Sequence, residues 1–307
     1  QFSSNPLPSL DSPRTLRNLL QLENSNEVPV LFFPDKVNSE DKAVFYFPGC
    51  GSERLFSEIG LASIAALAVS GQKVILPPAY LCCGYPQKAQ GETERAQQIN
   101  TQNRVLFHRL ASSLADLDVG HVIVSCGTCM DQLLDYQFDN IFPGCRQLDI
   151  HEYMLENDFQ LPSPPGREYV FHEPCHNPMK HHDSLHVASS LLGKNVVASD
   201  RCCGESGTFA VSRPDIAQQV RYRKLESIKD SVEQIHTRTH TPDSIKSDIK
   251  VLTSCPSCKQ GLARYRDQTG LDTDYLVVEM MLQTMGENWQ QAVLERLQDG
   301  GVERVLL

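Results

Sequence analysis

The tripeptide Cys202-Cys203-Gly204 decides how this sequence is interpreted, because the same tripeptide occurs earlier as Cys82-Cys83-Gly84. Each copy has a single cysteine upstream and a Cys-x-x-Cys pair downstream. The first cysteine set is Cys50, Cys82, Cys83, Cys126 and Cys129, and the second cysteine set is Cys175, Cys202, Cys203, Cys255 and Cys258. Ten of the eleven cysteines therefore belong to two copies of one pattern, and only Cys145 lies outside it.

Short apolar runs precede the cysteines in both halves, as is typical of buried parallel strands. These runs span residues 43–47, 73–76 and 121–124 in the first half and 168–172, 195–197 and 250–253 in the second. Stretches with helical spacing separate them, which predicts an α/β fold with parallel sheets. We expect two similar Rossmann-like lobes related by an approximate two-fold axis. A last strand at 275–278 and a helix over 279–297 are predicted to close the chain.

The domain limits follow from composition. Residues 1–41 are rich in Ser, Pro and Asn and are predicted to be a linker or arm. The Pro-rich segment 161–166 favours a boundary, with the first repeat lobe over 42–160 and the second over 161–307. The first residue is Gln1 rather than Met, which suggests a fragment or a processed chain.

Bulk properties exclude several classes of function. The net charge of -10 argues against nucleic-acid binding. The basic run 221–224 is interpreted as a solvated helix face. No apolar run approaches the roughly 20 residues of a membrane helix, so an integral membrane protein is not expected. A cytoplasmic location is predicted, with any association with the inner face of the membrane made through partners. Because a reducing cytosol disfavours disulfides, the cysteines indicate metal or redox chemistry.

Parallel strands bring the cysteines together, because their carboxyl ends lie at one edge of a sheet. Five sulfurs exceed the four ligands of a structural zinc, whereas iron-sulfur clusters are commonly held by several thiolates. The adjacent pair favours a bridging sulfur, although a lone Cys-x-x-Cys would fit a zinc site or a redox disulfide equally well. His172 and His176 lie close to Cys175 and are candidates to donate a hydrogen bond to a cluster or to carry a proton.

The repeated order of five cysteines, over roughly residues 42 to 285, resembles the two-repeat CCG-domain proteins. These include the B subunit of heterodisulfide reductase and the iron-sulfur subunits of glycolate oxidase, anaerobic glycerol-3-phosphate dehydrogenase and lactate-utilisation enzymes. The resemblance implies a non-cubane [4Fe-4S] cluster in each repeat, with all ten cysteines of the two sets as ligands. It also allows zinc in one repeat.

The same resemblance implies an iron-sulfur electron-transfer module of a flavin-dependent oxidoreductase acting on a 2-hydroxy acid such as D-lactate or glycolate. FAD is expected on a partner subunit or a missing domain, and a quinone or an electron carrier is expected as the acceptor. No GxGxxG sequence follows a strand, so a dinucleotide site within the chain is not predicted. Two alternatives stay open: disulfide reduction at a non-cubane cluster, as in heterodisulfide reductase, and a zinc-stabilised scaffold.

Overall fold

Two sheets organise the computed structural model, which describes residues 14–22, 26–37, 42–205, 209–240 and 248–307. The first sheet has six strands in the order β10-β1-β3-β2-β4-β5, and the second has four in the order β7-β6-β8-β9. The strands are β1 Glu27–Leu31, β2 Lys42–Phe47, β3 Lys73–Ile75, β4 Asp118–Val124, β5 Arg146–Asp149, β6 Glu168–His172, β7 Val197–Ser199, β8 Ile249–Thr253, β9 Asp272–Tyr275 and β10 Val302–Leu306.

Helices cover both faces of the sheets. They are α1 Leu16–Leu19, α2 Ser57–Val69, α3 Tyr85–Ala89, α4 Thr93–Ser113, α5 Gly127–Leu133, α6 Ile150–Glu156, α7 Ser184–Leu192, α8 Phe209–Ser212, α9 Pro214–Thr239, α10 Pro256–Ala263, α11 Arg266–Thr269, α12 Leu276–Met285 and α13 Trp289–Gln298. A π-helix spans Gly51–Leu55, and 3-10 helices span Leu134–Tyr136 and Phe138–Asn140. None of the helices within the described ranges combines the length and the apolar character needed to cross a membrane.

The two repeats build the same sheet. Strands β3-β2-β4-β5 of the first lobe are parallel, and so are β7-β6-β8-β9 of the second, in the same spatial order. A hydrophobic core joins the lobes, because one cluster of buried side chains includes Tyr46 and Ile64 from the first repeat and Tyr169 and Val187 from the second. The expected α/β fold with two similar lobes is therefore confirmed.

Two contacts between the lobes are related by exchange of the repeats. Gly51 follows the single cysteine of its repeat, and a Cβ atom on it would lie 2.8 Å from Cγ of Pro256. His176 also follows the single cysteine of its repeat, and its backbone oxygen would lie 1.6 Å from a Cβ atom on Gly127. Pro256 and Gly127 each follow the first cysteine of a Cys-x-x-Cys pair. Such a reciprocal pair of contacts is the signature of two-fold symmetry, here between two repeats of one chain.

The first sheet combines a strand from the first part of the described chain with one from its last part. Strand β1 lies within the segment expected to be a linker or arm, and it pairs antiparallel with β3 on one side and with β10 on the other. Its sequence, Glu-Val-Pro-Val-Leu, buries four of its five residues, although proline is uncommon inside a sheet. The structure thus places residues 27–31 and 302–306 in the first sheet, whereas the limits of the lobes at residues 42 and 161 stay a prediction.

Three predicted elements differ from the structure. The expected strand at 275–278 is wrong beyond its first residue, because β9 ends at Tyr275 and α12 begins at Leu276. Residues 276–281 are all buried, and the apolar run 275–278 by itself does not distinguish a buried helix from a buried strand. The helix predicted over 279–297 is two helices, separated at Gly286 with φ of +82°. The strand expected at 195–197 begins at Val197 instead.

Tyr275 contacts both lobes at equivalent positions of the two repeats. Its buried hydroxyl lies 2.8 Å from the backbone oxygen of Ser125 and 3.0 Å from that of Ser254. The hydroxyl donates a shared hydrogen bond to these two oxygens. Each serine directly precedes the first cysteine of a Cys-x-x-Cys pair. One phenol therefore holds the equivalent loops of both repeats.

Replacing this hydroxyl is expected to destabilise the junction of the lobes. Tyr275→Phe leaves two buried carbonyl oxygens without their donor, which costs about 1–3 kcal/mol. Urea unfolding monitored by fluorescence measures the effect. The matched control is Tyr222→Phe, since Tyr222 is exposed and its change should stay within about 0.5 kcal/mol. Equal stability of the two variants would contradict this role of Tyr275.

Candidate metal centres

Each cysteine group follows the carboxyl end of a parallel strand, as predicted from sequence. In the first lobe, β2, β3 and β4 lead into Cys50, Cys82-Cys83 and Cys126. In the second lobe, β6, β7 and β8 lead into Cys175, Cys202-Cys203 and Cys255. The middle strand of each trio is hydrogen-bonded to the other two, so the three cysteine groups leave from adjacent points at one sheet edge.

The thiols of the first cysteine set lie close together. Cys83 interacts with the thiols of Cys82 and Cys129, and Cys129 also interacts with that of Cys126. Burial raises the pKa of the Cys50 thiol, and the charges of Cys126 and Cys83 act on it in the same direction. Cys83, Cys126 and Cys129 are buried, while Cys50 and Cys82 are half-buried. The first site therefore has a closed interior.

The thiols of the second cysteine set form a continuous series. The Sγ atoms of Cys203 and Cys258 lie 3.4 Å apart. Cys203 also interacts with Cys202, which interacts with Cys175, and Cys258 interacts with Cys255. Cys175 and Cys202 are exposed. The structure thus brings together all five predicted cysteines of this set, and it opens the second site to solvent more than the first.

The glycine of each CCG tripeptide has a conformational role. Gly84 and Gly204 have φ angles of +89° and +78°, which favour glycine strongly. Their N–H groups donate to the Sγ atoms of Cys82 and Cys202, each at 3.4 Å. Backbone N–H groups therefore approach the sulfurs at these two positions. The backbone N–H group of Gly51 also interacts with the Cys50 thiol, and both Gly51 and Gly127 pack against the opposite lobe.

The second cysteine of each Cys-x-x-Cys pair lies in the first turn of a helix. Cys126 and Cys255 are the N-caps of α5 and α10, and Cys129 and Cys258 are the third residues of these helices. The positive end of a helix favours a thiolate over a thiol.

Thiolate character is present in both sets. Interaction with the Cys129 thiol lowers the pKa of Cys126 to about 7 despite complete burial. Interaction with Cys175 and then Cys203 lowers the pKa of Cys202 well below its usual range. Burial raises the pKa of Cys50 to about 12. Each set therefore shares protons among its sulfurs and stabilises at least one thiolate, the form that binds metal ions.

A tyrosine supports each CCG loop, and sequence reasoning missed both. The hydroxyl of Tyr136 donates to the backbone oxygen of Cys83 at 3.1 Å, and that of Tyr265 donates to the backbone oxygen of Cys203 at 3.3 Å. Each tyrosine follows the last cysteine of its set by seven residues, a shared spacing that could have revealed the pair.

His172 lies beside the second cysteine set. A ring nitrogen of this buried histidine and the Sγ atoms of Cys203 and Cys258 all lie within 4.8 Å of one another. Its Nδ1 atom is 2.9 Å from Nζ of Lys224, and its Nε2 atom has no hydrogen-bond partner. Lys224 is fully buried, so the interpretation of residues 221–224 as a solvated helix face is wrong for this residue.

His176 lies at the boundary between the lobes. Its Nδ1 is 2.6 Å from a carboxylate oxygen of Asp131, and its Nε2 is 3.0 Å from the hydroxyl of Tyr85. Lys180 also pairs with Asp131, at 2.7 Å. His176 therefore belongs to a polar network across the lobes, directly after Cys175. Cys145, the eleventh cysteine, packs at the edge of the first-lobe core, away from both sets.

The residues present fit a metal centre in each lobe. All eleven cysteines are free thiols, and ten of them converge in two groups of five. The unpartnered Nε2 of His172 is a second indication, because a buried polar atom without a partner is costly unless a ligand completes its hydrogen bond. Thiolate-rich sites of this kind favour iron-sulfur clusters or zinc.

Three relatives illustrate what the chain is similar to. An uncharacterized iron-sulfur protein of Methanococcus maripaludis is 25% identical over 258 residues, covering 80% of this chain and 47% of the relative. A probable glycolate oxidase iron-sulfur subunit of Bacillus subtilis is 23% identical over 216 residues, covering 64% of this chain and 47% of the relative. Lactate utilization protein A of Exiguobacterium sp. is 24% identical over 210 residues, covering 61% of this chain and 81% of the relative. The chain spans about half the length of the first two.

Family comparison assigns both repeats. Residues 263–307 match a domain of unknown function, DUF3400. The cysteine-rich domain called CCG matches residues 44–134 and 169–263, which is well over half of the chain and includes all ten cysteines of the two sets. The chain therefore belongs to the family of CCG cysteine-rich domain proteins.

Proposed function

We propose that the chain is the iron-sulfur electron-transfer part of a flavin-dependent oxidoreductase that oxidises a 2-hydroxy acid such as D-lactate or glycolate. The observation that carries the proposal is the convergence of five thiols at equivalent places in both lobes. Relatives that are named as iron-sulfur proteins support iron-sulfur clusters, and those named for glycolate oxidase and lactate utilization support the substrate class.

Each cysteine set would hold one cluster, and the adjacent cysteines favour a non-cubane [4Fe-4S] form. In the second lobe the buried ligands would be Cys203, Cys255 and Cys258, with Cys175 and Cys202 on the solvent side. When bound, a cluster accepts and releases single electrons, which side chains of this chain do not do by themselves. The protein would contribute thiolates, backbone N–H donors at both CCG tripeptides and exclusion of water from the interior sulfurs.

The overall reaction requires a partner on each side. Oxidation of the 2-hydroxy acid to the 2-oxo acid releases two electrons and two protons, which a flavin on a partner subunit or another domain would take up. A quinone would finally take up two electrons and two protons, whereas a one-electron carrier would take up the electrons in two steps and leave the protons in solvent. This chain would connect the two, since its two groups of five thiols belong to lobes that share one hydrophobic core.

A second candidate, reduction of a disulfide, is favoured by the exposure of Cys175 and Cys202. An external disulfide could reach these sulfurs, whereas the first set is more closed. Cleavage of the S–S bond would consume two electrons and two protons from a reduced flavoprotein and release two thiols.

Single-turnover experiments on anaerobically purified protein test the proposal and separate the candidates. Photoreduced FMN is added at less than one equivalent, and we expect it to reduce the protein. The visible spectrum and electron paramagnetic resonance measure this reduction. Ubiquinone-1 should then reoxidise the protein within seconds. The same protein after chelation of its metal is the control and should show neither change.

Two outcomes would alter the assignment. Reoxidation by cystamine with release of two thiols per disulfide, and none by ubiquinone-1, would replace the proposal with disulfide reduction. Protein that contains zinc without iron and exchanges no electrons would contradict both candidates and leave a zinc-stabilised scaffold.

A further inference from the structure

The surroundings of the two cysteine sets can be matched residue by residue. Gly84 packs against α4 at Ala96, and Gly204 packs against α9 at Ala217, so these alanines are equivalent. Seven residues further along each helix are Asn103 and Lys224. Both reach the CCG loop, because Asn103 donates to the backbone oxygen of Cys82 and Lys224 to those of Ser199 and Asp200. A neutral amide in the first lobe thus corresponds to an ammonium in the second.

A second pair of equivalent residues is also more polar in the second lobe than in the first. Phe47 and His172 each precede the single cysteine of their repeat by three residues. Phe47 is buried among aromatic side chains and has no polar atom in its side chain. His172 is also buried, but it carries two ring nitrogens to the equivalent place. The second site therefore has two polar groups where the first has one amide and one apolar ring.

The amino group of Lys224 lies among acceptor atoms in the protein interior, and burial lowers its pKa to about 8, which leaves it an ammonium at neutral pH. Its Nζ atom lies 3.0 Å and 2.7 Å from the backbone oxygens of Ser199 and Asp200, 2.7 Å from Oγ of Ser199 and 2.9 Å from Nδ1 of His172, so its three N–H groups are shared among four neighbours. Carbonyl oxygens can only accept, so the amine must supply the hydrogens. A buried ammonium without a carboxylate partner is expensive unless negative charge lies close to it. The nearby negative charges are the sulfurs of Cys203 and Cys258, followed by the carboxylate of Asp200 and the sulfur of Cys202.

The lysine also fixes the imidazole of His172. An ammonium has three donors and no acceptor, so Nδ1 of His172 must accept and cannot carry a hydrogen. The neutral ring then has its hydrogen on Nε2, and this atom has no partner in the protein. A ring nitrogen of His172 lies within 4.8 Å of the Sγ atoms of Cys203 and Cys258, and we take the N–H group at Nε2 as the donor toward them.

We propose that Lys224 and His172 give the second cysteine set a fixed positive charge and an N–H donor, so that a cluster held there has a higher reduction potential than one held by the first set. The inference rests on the proposed function, because it assumes that both sets hold clusters. Reduction adds negative charge, and both a nearby cation and hydrogen bonds to sulfur favour that state. Arg264 forms an ion pair with Glu205 next to the site, and the charge of Arg221 acts on the same carboxylate. Lys224 acts here as a positioning residue as well as a charge.

A redox titration followed by electron paramagnetic resonance tests the proposal. The wild-type protein should show two potentials, and Cys203→Ser identifies the signal of the second set by its loss. Lys224→Met should lower the equilibrium constant for one-electron reduction of the second set at least tenfold, a shift of about 59 mV. Asn103→Leu is the matched control in the first lobe, and it should leave the potential of the second set unchanged.

Two further variants exclude a purely structural effect. Lys224→Arg keeps the charge and should retain at least half of the potential difference, whereas equal shifts from Lys224→Arg and Lys224→Met would overturn the proposal. His172→Phe, which makes the second site similar to the first, should lower the same potential. If the Lys224→Met variant loses its second cluster, nitrogen-15 NMR of the metal-free, reduced wild-type protein tests the inference through the position of the imidazole hydrogen. The wild-type His172 should then carry its hydrogen on Nε2, and a hydrogen on Nδ1 would contradict the inference.

The result separates this inference from the proposed function. Two clusters whose potentials do not respond to Lys224→Met would overturn the inference and leave the electron-transfer function standing. Wild-type protein that binds no iron would overturn the proposed function, and the inference with it.

Discussion

Cys203→Ser is expected to remove about half of the bound iron and to eliminate the spectrum of the second set, while the signal of the first set stays unchanged. Cys203 is buried, its Sγ lies 3.4 Å from that of Cys258, and it also interacts with the thiol of Cys202. It is therefore at the centre of the five sulfurs. A serine hydroxyl there is a hard ligand that stays protonated at neutral pH, in place of a soft thiolate.

The fold should survive this change, because a core that joins both lobes does not depend on the metal. Iron content, electron paramagnetic resonance and circular dichroism of anaerobic protein measure the three effects. Cys145→Ser is the matched control, since Cys145 lies outside both sets, and it should retain all of the iron. If Cys203→Ser kept its iron and its spectrum, the assignment of five ligands to the second site would be wrong.

Gly127→Ala is expected to destabilise the protein strongly, because the added methyl group would overlap the backbone of the opposite lobe. The new Cβ atom would lie 1.6 Å from the backbone oxygen of His176 and 2.6 Å from its backbone carbon. Backbone on the opposite lobe cannot move aside as a flexible side chain would. Overpacking usually costs about 1–3 kcal/mol, and a clash of this severity should exceed about 3 kcal/mol.

The consequence should reach both metal centres. Gly127 follows Cys126 of the first set and His176 follows Cys175 of the second, so separation of these segments displaces a cysteine in each. Thermal unfolding and iron content are the measurements. Gly120→Ala is the control, because a Cβ atom on Gly120 would meet nothing within 4 Å. A Gly127→Ala protein as stable as Gly120→Ala would contradict the described junction of the lobes.

The arrangement of the cysteines could be predicted from sequence because it depends on two local signals. An apolar run followed by a cysteine predicts a strand that ends at the sheet edge, and parallel strands share that edge. Repetition of the same order then predicts two equivalent sites. The structure shows the same arrangement, from β2 with Cys50 to β8 with Cys255.

The polar residues around the sites could not be predicted in the same way. Lys224 lies in a stretch of α9 with exposed Tyr222 and Arg223, and its burial depends on the CCG loop that packs over that turn. The pairing of β1 with β10 could not be predicted either, because it joins segments more than 270 residues apart in sequence. Contacts between distant segments follow from the assembled fold rather than from local periodicity.

Metal analysis of protein purified and kept without oxygen tests most directly whether each lobe holds a cluster on five thiolates. We predict about eight iron atoms per chain, about four for each set, together with acid-labile sulfide. We also expect Cys203→Ser to halve both values. One zinc per chain without iron or sulfide, in protein that was never exposed to air, would contradict the presence of a cluster in each lobe.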